Sequence, residues 1–222
     1  MFHVEHQENT DEFLEFFVEG AKKFGFSFKE DILENFHLYY KELCFWNRSV
    51  NLTGLQTVKE QAVLLFADSL AGSLAFSENT WPSIIDIGTG AGFPGLPLKL
   101  AFPSLRTTLL EPRANKIAFL HTVIGKLKLT GTSVLQQRLE ACRSFINEED
   151  KWDIAISKAV SLEAILPHVK NILKKDGRLV VFRSTNIENL EKLQGLTIEK
   201  EIPYELPYEF GKRVLSVLKH VP

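Results

Sequence analysis

Apolar residues recur at helical spacing in the first third of the chain, and in the remainder they gather into short runs separated by polar turns. Residues 11–24 and 29–46 keep the three-and-four-residue interval, the second through Ile32, Leu33, Phe36, Leu38, Tyr39, Leu43 and Phe45. Two amphipathic helices are predicted. The polar stretch 47–54 interrupts the pattern, and residues 57–76, partly periodic through Val58, Ala62, Leu65, Ala67 and Leu70, predict a third helix. From Ile84 the pattern alternates: strand 84–87, helix from Gly95, strand 106–111, helix 115–129, strand 133–136, strand 152–157, helix 162–173, a turn at 175–178 and strand 179–182. Such alternation predicts a parallel sheet covered by helices. A helix over 187–193, a strand over 197–202, a Pro-flanked excursion over 203–207 and a last strand over 213–218 complete seven strands. The final connection is too short for a parallel crossover, so one strand of that pair is expected to be antiparallel.

The chemistry concentrates where the first strand stops. Ile84-Ile85-Asp86-Ile87 runs into Gly88-Thr89-Gly90-Ala91-Gly92-Phe93-Pro94-Gly95, four glycines in eight residues, followed by a helix bearing Leu96, Leu98, Leu100 and Ala101. A loop of this kind turns sharply and admits a ligand close to the backbone, with the helix N-terminal amides pointing back at it. A phosphate-binding P-loop is excluded, because Leu96-Pro97 stands where Lys and Ser or Thr are required. The dinucleotide fingerprint is weakened, because its third glycine falls on Phe93 and Gly92 comes one residue early. Asp86-x-Gly88-x-Gly90-x-Gly92 instead resembles the first motif of S-adenosylmethionine-dependent methyltransferases. Glu111 ends the second strand 21 residues past Gly90, the position of an acid that accepts hydrogen bonds from ribose hydroxyls. That acid is common to methyltransferases and dehydrogenases, so an NAD-binding oxidoreductase on a similar sheet stays open.

Composition bounds the rest. The 222 residues are 45% hydrophobic and 24% charged, enough for a full core in one main domain. Cys44 and Cys142 lie far apart, and His3, His6, His37, His121, His168 and His220 show no ligand spacing, so no metal is expected. No apolar run reaches a membrane span, and a cytoplasmic monomer is the expectation. Residues 1–60 carry six Lys and Arg against eleven Asp and Glu, and residues 61–222 carry twenty against seventeen. An RNA partner therefore needs a local basic patch, for which Arg113, Lys116, Lys126, Lys128, Arg138 and Arg143 are candidates.

Trp46-Asn47, Asn51-Leu52-Thr53, Asp68-Ser69-Leu70, the run from Asp86 to Leu98, Lys116-x-x-Phe119-Leu120, Arg138-x-Glu140 and Ser157-Lys158-Ala159 together resemble the RsmG (GidB) family of bacterial ribosomal RNA methyltransferases. The resemblance covers nearly the whole chain. It implies an α/β, Rossmann-like methyltransferase fold with a seven-stranded mostly parallel sheet, residues 1–76 as a helical extension and 77–222 as the core. It also implies S-adenosyl-L-methionine as cofactor and 7-methylguanosine in 16S ribosomal RNA of the small subunit as product. Carried over, the cofactor residues are Asp86, Gly88, Gly90, Gly92, Phe93, Glu111, Leu139, Glu140 and Lys158: Gly88 and Phe93 at the methionine part and pocket floor, Glu111 at the ribose, Leu139-Glu140 at the adenine edge. Asp86 has a structural alternative, fixing the glycine loop through backbone amides. Arg113, Lys116, Arg138, Arg183 and Arg213, with Lys158, form an RNA track, and Phe66 and Phe93 are candidate stacking groups. Lys158 stands where the family usually has arginine, Leu65-Phe66 where it has Arg-His, and Arg183 where it has lysine. No catalytic base is expected, because the guanine N7 lone pair carries no proton. The departures leave open a module that binds the cofactor and RNA without catalysis.

Overall fold

In the computed structural model, which describes residues 2–76, 82–142, 150–188 and 193–221, seven strands form one sheet. They are β1 (Ser83–Ile87), β2 (Arg106–Leu110), β3 (Thr132–Leu135), β4 (Trp152–Ser157), β5 (Leu173–Arg183), β6 (Leu196–Glu205) and β7 (Lys212–His220), in the order β3-β2-β1-β4-β5-β7-β6. Pairing is parallel from β3 through β5, and β7 runs antiparallel to both β5 and β6. Side chains alternate along each strand. Ile85 and Ile87 of β1, Ala155 of β4 and Leu179 and Val181 of β5 enter one apolar layer; Ile84, Ile154, Ile156, Val180 and Phe182 enter the other. Both faces are apolar, which is why these segments read as nearly continuous hydrophobic runs.

The helices are α1 (Phe2–Lys22), α2 (Glu30–Val50), α3 (Val58–Glu60), α4 (Asp68–Leu70), α5 (Gly95–Ala101), α6 (Ala114–Lys126), α7 (Leu139–Cys142) and α8 (Leu162–Val169). Crossovers through α5 and α6 carry the chain outward from β1 to β3, and β4 then returns to the other side of β1. The N-terminal helices share a core with α5 and α6 that includes Phe13, Phe17, Phe36, Tyr39, Leu43, Phe66, Phe93 and Phe119. Phe66 is its hub: its ring meets those of Phe13, Tyr39 and Phe93 edge-on at 4.9, 5.0 and 5.0 Å. Edge-to-face contacts of this kind add to the burial of area that holds the cluster.

Several element boundaries differ from the expectations. The third helix is not one α-helix: α3 continues as a π-helix (Gln61–Ala67), then α4, then a 3₁₀ turn (Ala71–Ala75). Gln61 to Val63 and Phe66 to Gly72 are all buried, so no single apolar stripe dictates the pitch. A capping box between Thr57 and Glu60 sets its start, as a local signal should. α8 stops at Val169 and β5 begins at Leu173, opposite Trp152, with an irregularity before Arg178. Pro203 lies inside β6, where an edge strand tolerates the missing amide. The helix expected over 187–193 falls largely outside the described residues, and Ile187 and Glu188 are not helical.

Replacing Phe66 with alanine is expected to cost about 3–5 kcal/mol of unfolding free energy in a urea titration, as for other fully buried aromatics. A loss within about 0.5 kcal/mol would show that the cluster closes over the vacancy.

Candidate functional site

The strand order reverses between β1 and β4, and the glycine loop leaves β1 at that reversal, where open α/β sheets form a ligand crevice. The loop starts as an extension of the ladder: the amides of Gly88 and Thr89 both donate to the Leu110 carbonyl, at 3.0 and 3.1 Å. Two positions demand glycine. Gly88 has φ 68°, and a Cβ there would lie 2.4 Å from Val160 Cγ2; Gly92 has φ 97°, and a Cβ would lie 2.5 Å from both Tyr39 Oη and Leu96 Cδ1. From α2, the fully buried Tyr39 hydroxyl donates to the Ala91 carbonyl while its ring stacks on Phe93 at 5.3 Å. The far end of the loop is held from β1. Asp86 Oδ2 accepts the Thr89 hydroxyl at 2.5 Å and the Gly95 amide at 2.8 Å, and Oδ1 has no hydrogen-bond partner among the described residues. Burial pushes the Asp86 carboxyl up to about 7; the bonds from Thr89 and Gly95 and the charge of Lys158 oppose that rise, and Glu111 adds to it.

The first-turn amides of α5 are consequently engaged inside the protein. Gly95 donates to Asp86, Leu96 to the Gly92 carbonyl at 2.7 Å, Leu98 to the Pro94 carbonyl at 3.2 Å, and Pro97 has no N–H. They point back at the loop, as expected, and are taken up by acceptors of the protein itself.

Beside the loop lies a cavity of about 480 Å³, within the usual range for a small-molecule site. One wall is the loop itself, from Gly88 to Ala91 with Phe93; Glu111, Pro112, Arg113 and Lys116 form the β2 side, and Lys158, Ala159 and Val160 the β4 side. Glu111 Oε2 accepts the Gly90 amide at 3.1 Å and Oε1 the Arg113 amide at 2.9 Å. A carboxylate has about four acceptor positions, so Glu111 retains capacity for two hydroxyl donors. Leu52, Thr53 and Leu65 complete the lining. The loop of Leu52 and Thr53 is tied by Asn47, whose Oδ1 accepts their amides at 2.7 and 2.9 Å and whose Nδ2 donates to the Thr53 carbonyl at 3.1 Å. Asn51 ends α2 in the left-handed conformation that Asn tolerates.

Of the expected cofactor residues, Gly88, Gly90, Phe93, Glu111 and Lys158 line this cavity, and Asp86 and Gly92 brace it from behind. Leu139 and Glu140 are not in its lining: Leu139 packs into the layer beneath α8, and Glu140 is exposed. Among the basic residues, Arg113 and Lys116 reach the cavity. Arg183 lies in an adjoining hollow that shares Lys158 to Val160, and Arg138 is exposed at the start of α7. Arg213 sits opposite Tyr204 in the β6–β7 pair, Lys126 is paired with Glu42 of α2, and Arg143 lies outside the described residues. Phe66 is fully buried at the aromatic hub and is not placed to stack on a base, which corrects that expectation. Tyr39, Asn47 and Thr53 have no role in the expected set, and Tyr39 reads in the sequence as one more apolar position of α2. Among the described residues no three His, Cys, Asp or Glu side chains form a metal-binding group, and no helix is long and apolar enough to cross a membrane.

A family model described as GidB, rRNA small subunit methyltransferase G, matches residues 32–213. The chain is 33% identical over 217 residues to the ribosomal RNA small subunit methyltransferase G of Lachnoclostridium phytofermentans, covering 92% of this chain and 88% of that one. It is 32% identical to the protein of the same name from Bacillus licheniformis, covering 93% and 90%. Similar solved structures include the mitomycin 7-O-methyltransferase MmcR, with TM-score 0.56, 18% identity and coverage of 82% of this chain and 67% of that one. A ribosomal-protein methylase from Lactobacillus delbrueckii subsp. bulgaricus gives TM-score 0.52 and 13% identity over 72% and 79% of the two chains. These likenesses extend to the fold.

A pH dependence follows from Asp86. Its carboxyl holds a proton in the folded protein up to about pH 7, and in the unfolded chain it ionises near pH 4, at a pKa of about 3.9. Its contribution to stability is full below the lower value and is lost as pH rises through the interval, because the folded state binds the extra proton. The unfolding free energy of the wild type is therefore expected to fall between about pH 4 and 7 relative to that of Asp86→Asn. A constant difference across that interval would return the carboxyl to its ordinary range.

Proposed function

Because the chain belongs to the GidB family of rRNA small subunit methyltransferases, we propose that it methylates position 7 of a guanosine in 16S ribosomal RNA, with S-adenosylmethionine as donor, as a cytoplasmic monomer. The observation that carries the choice of donor is the Asp86 carboxyl on the Gly95 amide. A dinucleotide fold needs that amide, and its neighbours in the first helical turn, for pyrophosphate. Here an acidic side chain of the protein already occupies it. A nucleoside sulfonium places no anion at that point, and its ribose matches the spare acceptor capacity of Glu111. The cavity volume fits the same ligand.

In this reading Gly88 and Phe93 contact the methionine part, and Gly90, Gly92 and Asp86 hold the loop in shape. Leu139 and Glu140, on α7 after β3, lie outside the cavity lining, and the adenine side is left to the residues around Glu111. The bound donor supplies an electrophilic methyl group on positively charged sulfur. The guanine N7 lone pair is free at neutral pH, so the protein moves no proton. Its residues orient the two reactants and exclude water, and orientation of this kind lowers barriers by on the order of 7 to 11 kcal/mol in favourable systems. Arg113 and Lys116 sit at the mouth to receive the RNA backbone, with Arg138, Arg183 and Arg213 further along the track.

Thermal melting tests the donor. S-adenosylmethionine and S-adenosylhomocysteine are expected to stabilise the protein, by about 2.7 kcal/mol at a hundredfold excess over Kd, while NAD leaves the transition unmoved. Glu111→Ala should reduce the stabilisation. Stabilisation by NAD alone would reject the reading. Small-subunit particles lacking the modification should then take up labelled methyl at guanine N7; donor binding without transfer would indicate a binding module instead.

A further inference from the structure

Lys158 is held more tightly than a general cofactor contact requires. Its ammonium lies 2.8 Å from Asp68 Oδ2 and donates to the Leu64 carbonyl of the π-helix, and its side chain is 15% exposed. Asp68 is buried as well, and its other oxygen accepts the Tyr204 hydroxyl from β6 at 2.7 Å. Phe182 covers the ammonium from 5.7 Å. The π-helix has its own part in this clamp: the Asp68 amide reaches back five residues to the Val63 carbonyl, and π-turns of this kind recur at functional sites. An ammonium has three N–H donors and no acceptor. Asp68 and Leu64 take two of them, and the lysine lines the cavity together with Leu65 and Ala159.

We propose that Lys158 selects guanine as the acceptor base by donating its third N–H to the 6-oxygen, the atom next to the attacking N7. This rests on the guanine-7 reading above and adds to it the residue that distinguishes the base. Guanine presents acceptors at both O6 and N7, while adenine presents an amino donor at position 6. A group without acceptor capacity bonds the first and repels the second. Asp68 is a positioning residue: as methyl transfer moves positive charge from sulfur to the purine, a lone ammonium beside N7 would oppose it, and the carboxylate at 2.8 Å cancels that field.

The test uses small-subunit particles reconstituted with guanine or with 2-aminopurine, which lacks the 6-oxygen, at the methylated position. The wild type is expected to transfer methyl to 2-aminopurine roughly 10- to 100-fold more slowly than to guanine, the scale of one base-edge contact. Lys158→Met should lose rate on guanine and show little further loss on 2-aminopurine, so that the two rates converge. Because that variant leaves Asp68 buried without its cation, the paired variant Lys158→Met with Asp68→Asn is measured alongside, each checked for folding by a cooperative unfolding transition in urea. If a folded variant keeps the wild-type ratio between the two bases, the inference is overturned while the methyltransferase reading stands. If the wild type transfers nothing to guanine, that reading falls and the inference falls with it.

Discussion

The backbone between Gly88 and Gly95 is gripped from four directions, three of them from elements distant in sequence. Asp86 takes the Gly95 amide from β1, Glu111 takes the Gly90 amide from the end of β2, the Tyr39 hydroxyl reaches the Ala91 carbonyl from α2, and Val160 presses on Gly88 from beyond β4. Both carboxylates accept loop amides, so the loop is positioned by charge-assisted or strongly polar bonds in an environment where water does not compete. Asp86 shows the cost of that arrangement: burial raises its pKa far enough for it to keep its proton near neutrality. The N-terminal helices are therefore part of the site. Tyr39 contacts the loop directly, and the Asn47-tied turn supplies Leu52 and Thr53 to the cavity lining.

What could be read from the chain follows from how local each signal is. The short continuous apolar runs of the strands and the glycine spacing after Ile87 are short-range, and both survive in the structure as the two apolar layers and the loop. Glu111 is legible because a strand-helix-strand unit fixes its distance from Gly90 along the sequence as well as in space. The hydroxyl of Tyr39 is not legible: its position in α2 satisfies the helical pattern whether or not it has a partner 52 residues away. The pitch of the segment after Thr57 is hidden for a different reason. It is buried on most sides, and the apolar pattern that separates helix types is lost when every face is covered. The clamp on Lys158 joins residues from the π-helix, α4, the bend after β4 and β6, and no pattern within any one element anticipates it.

Three ionisable groups at the cavity are each held by the protein itself, while Arg113 and Lys116 line its β2 side. Glu111 is tied to two amides, Lys158 to Asp68, and Asp86 is held near neutrality by burial. A transfer in which positive charge passes from sulfur to a purine, with no proton to remove, calls for fixed dipoles and small net fields. This makes lysine at position 158, where the sequence resemblance leads to an expectation of arginine, more than a conservative stand-in. A guanidinium carries five donors in a planar fork and could engage Asp68 and a base edge together, spreading its bonds over both. An ammonium with two donors committed has one left, and its stem is fixed by burial. The lysine thus replaces a broad donor surface with a single directed one. The precision of that donor depends on Asp68, Leu64 and Tyr204, so the π-turn and the edge strand β6 contribute to recognition at the acceptor side just as α2 does at the loop.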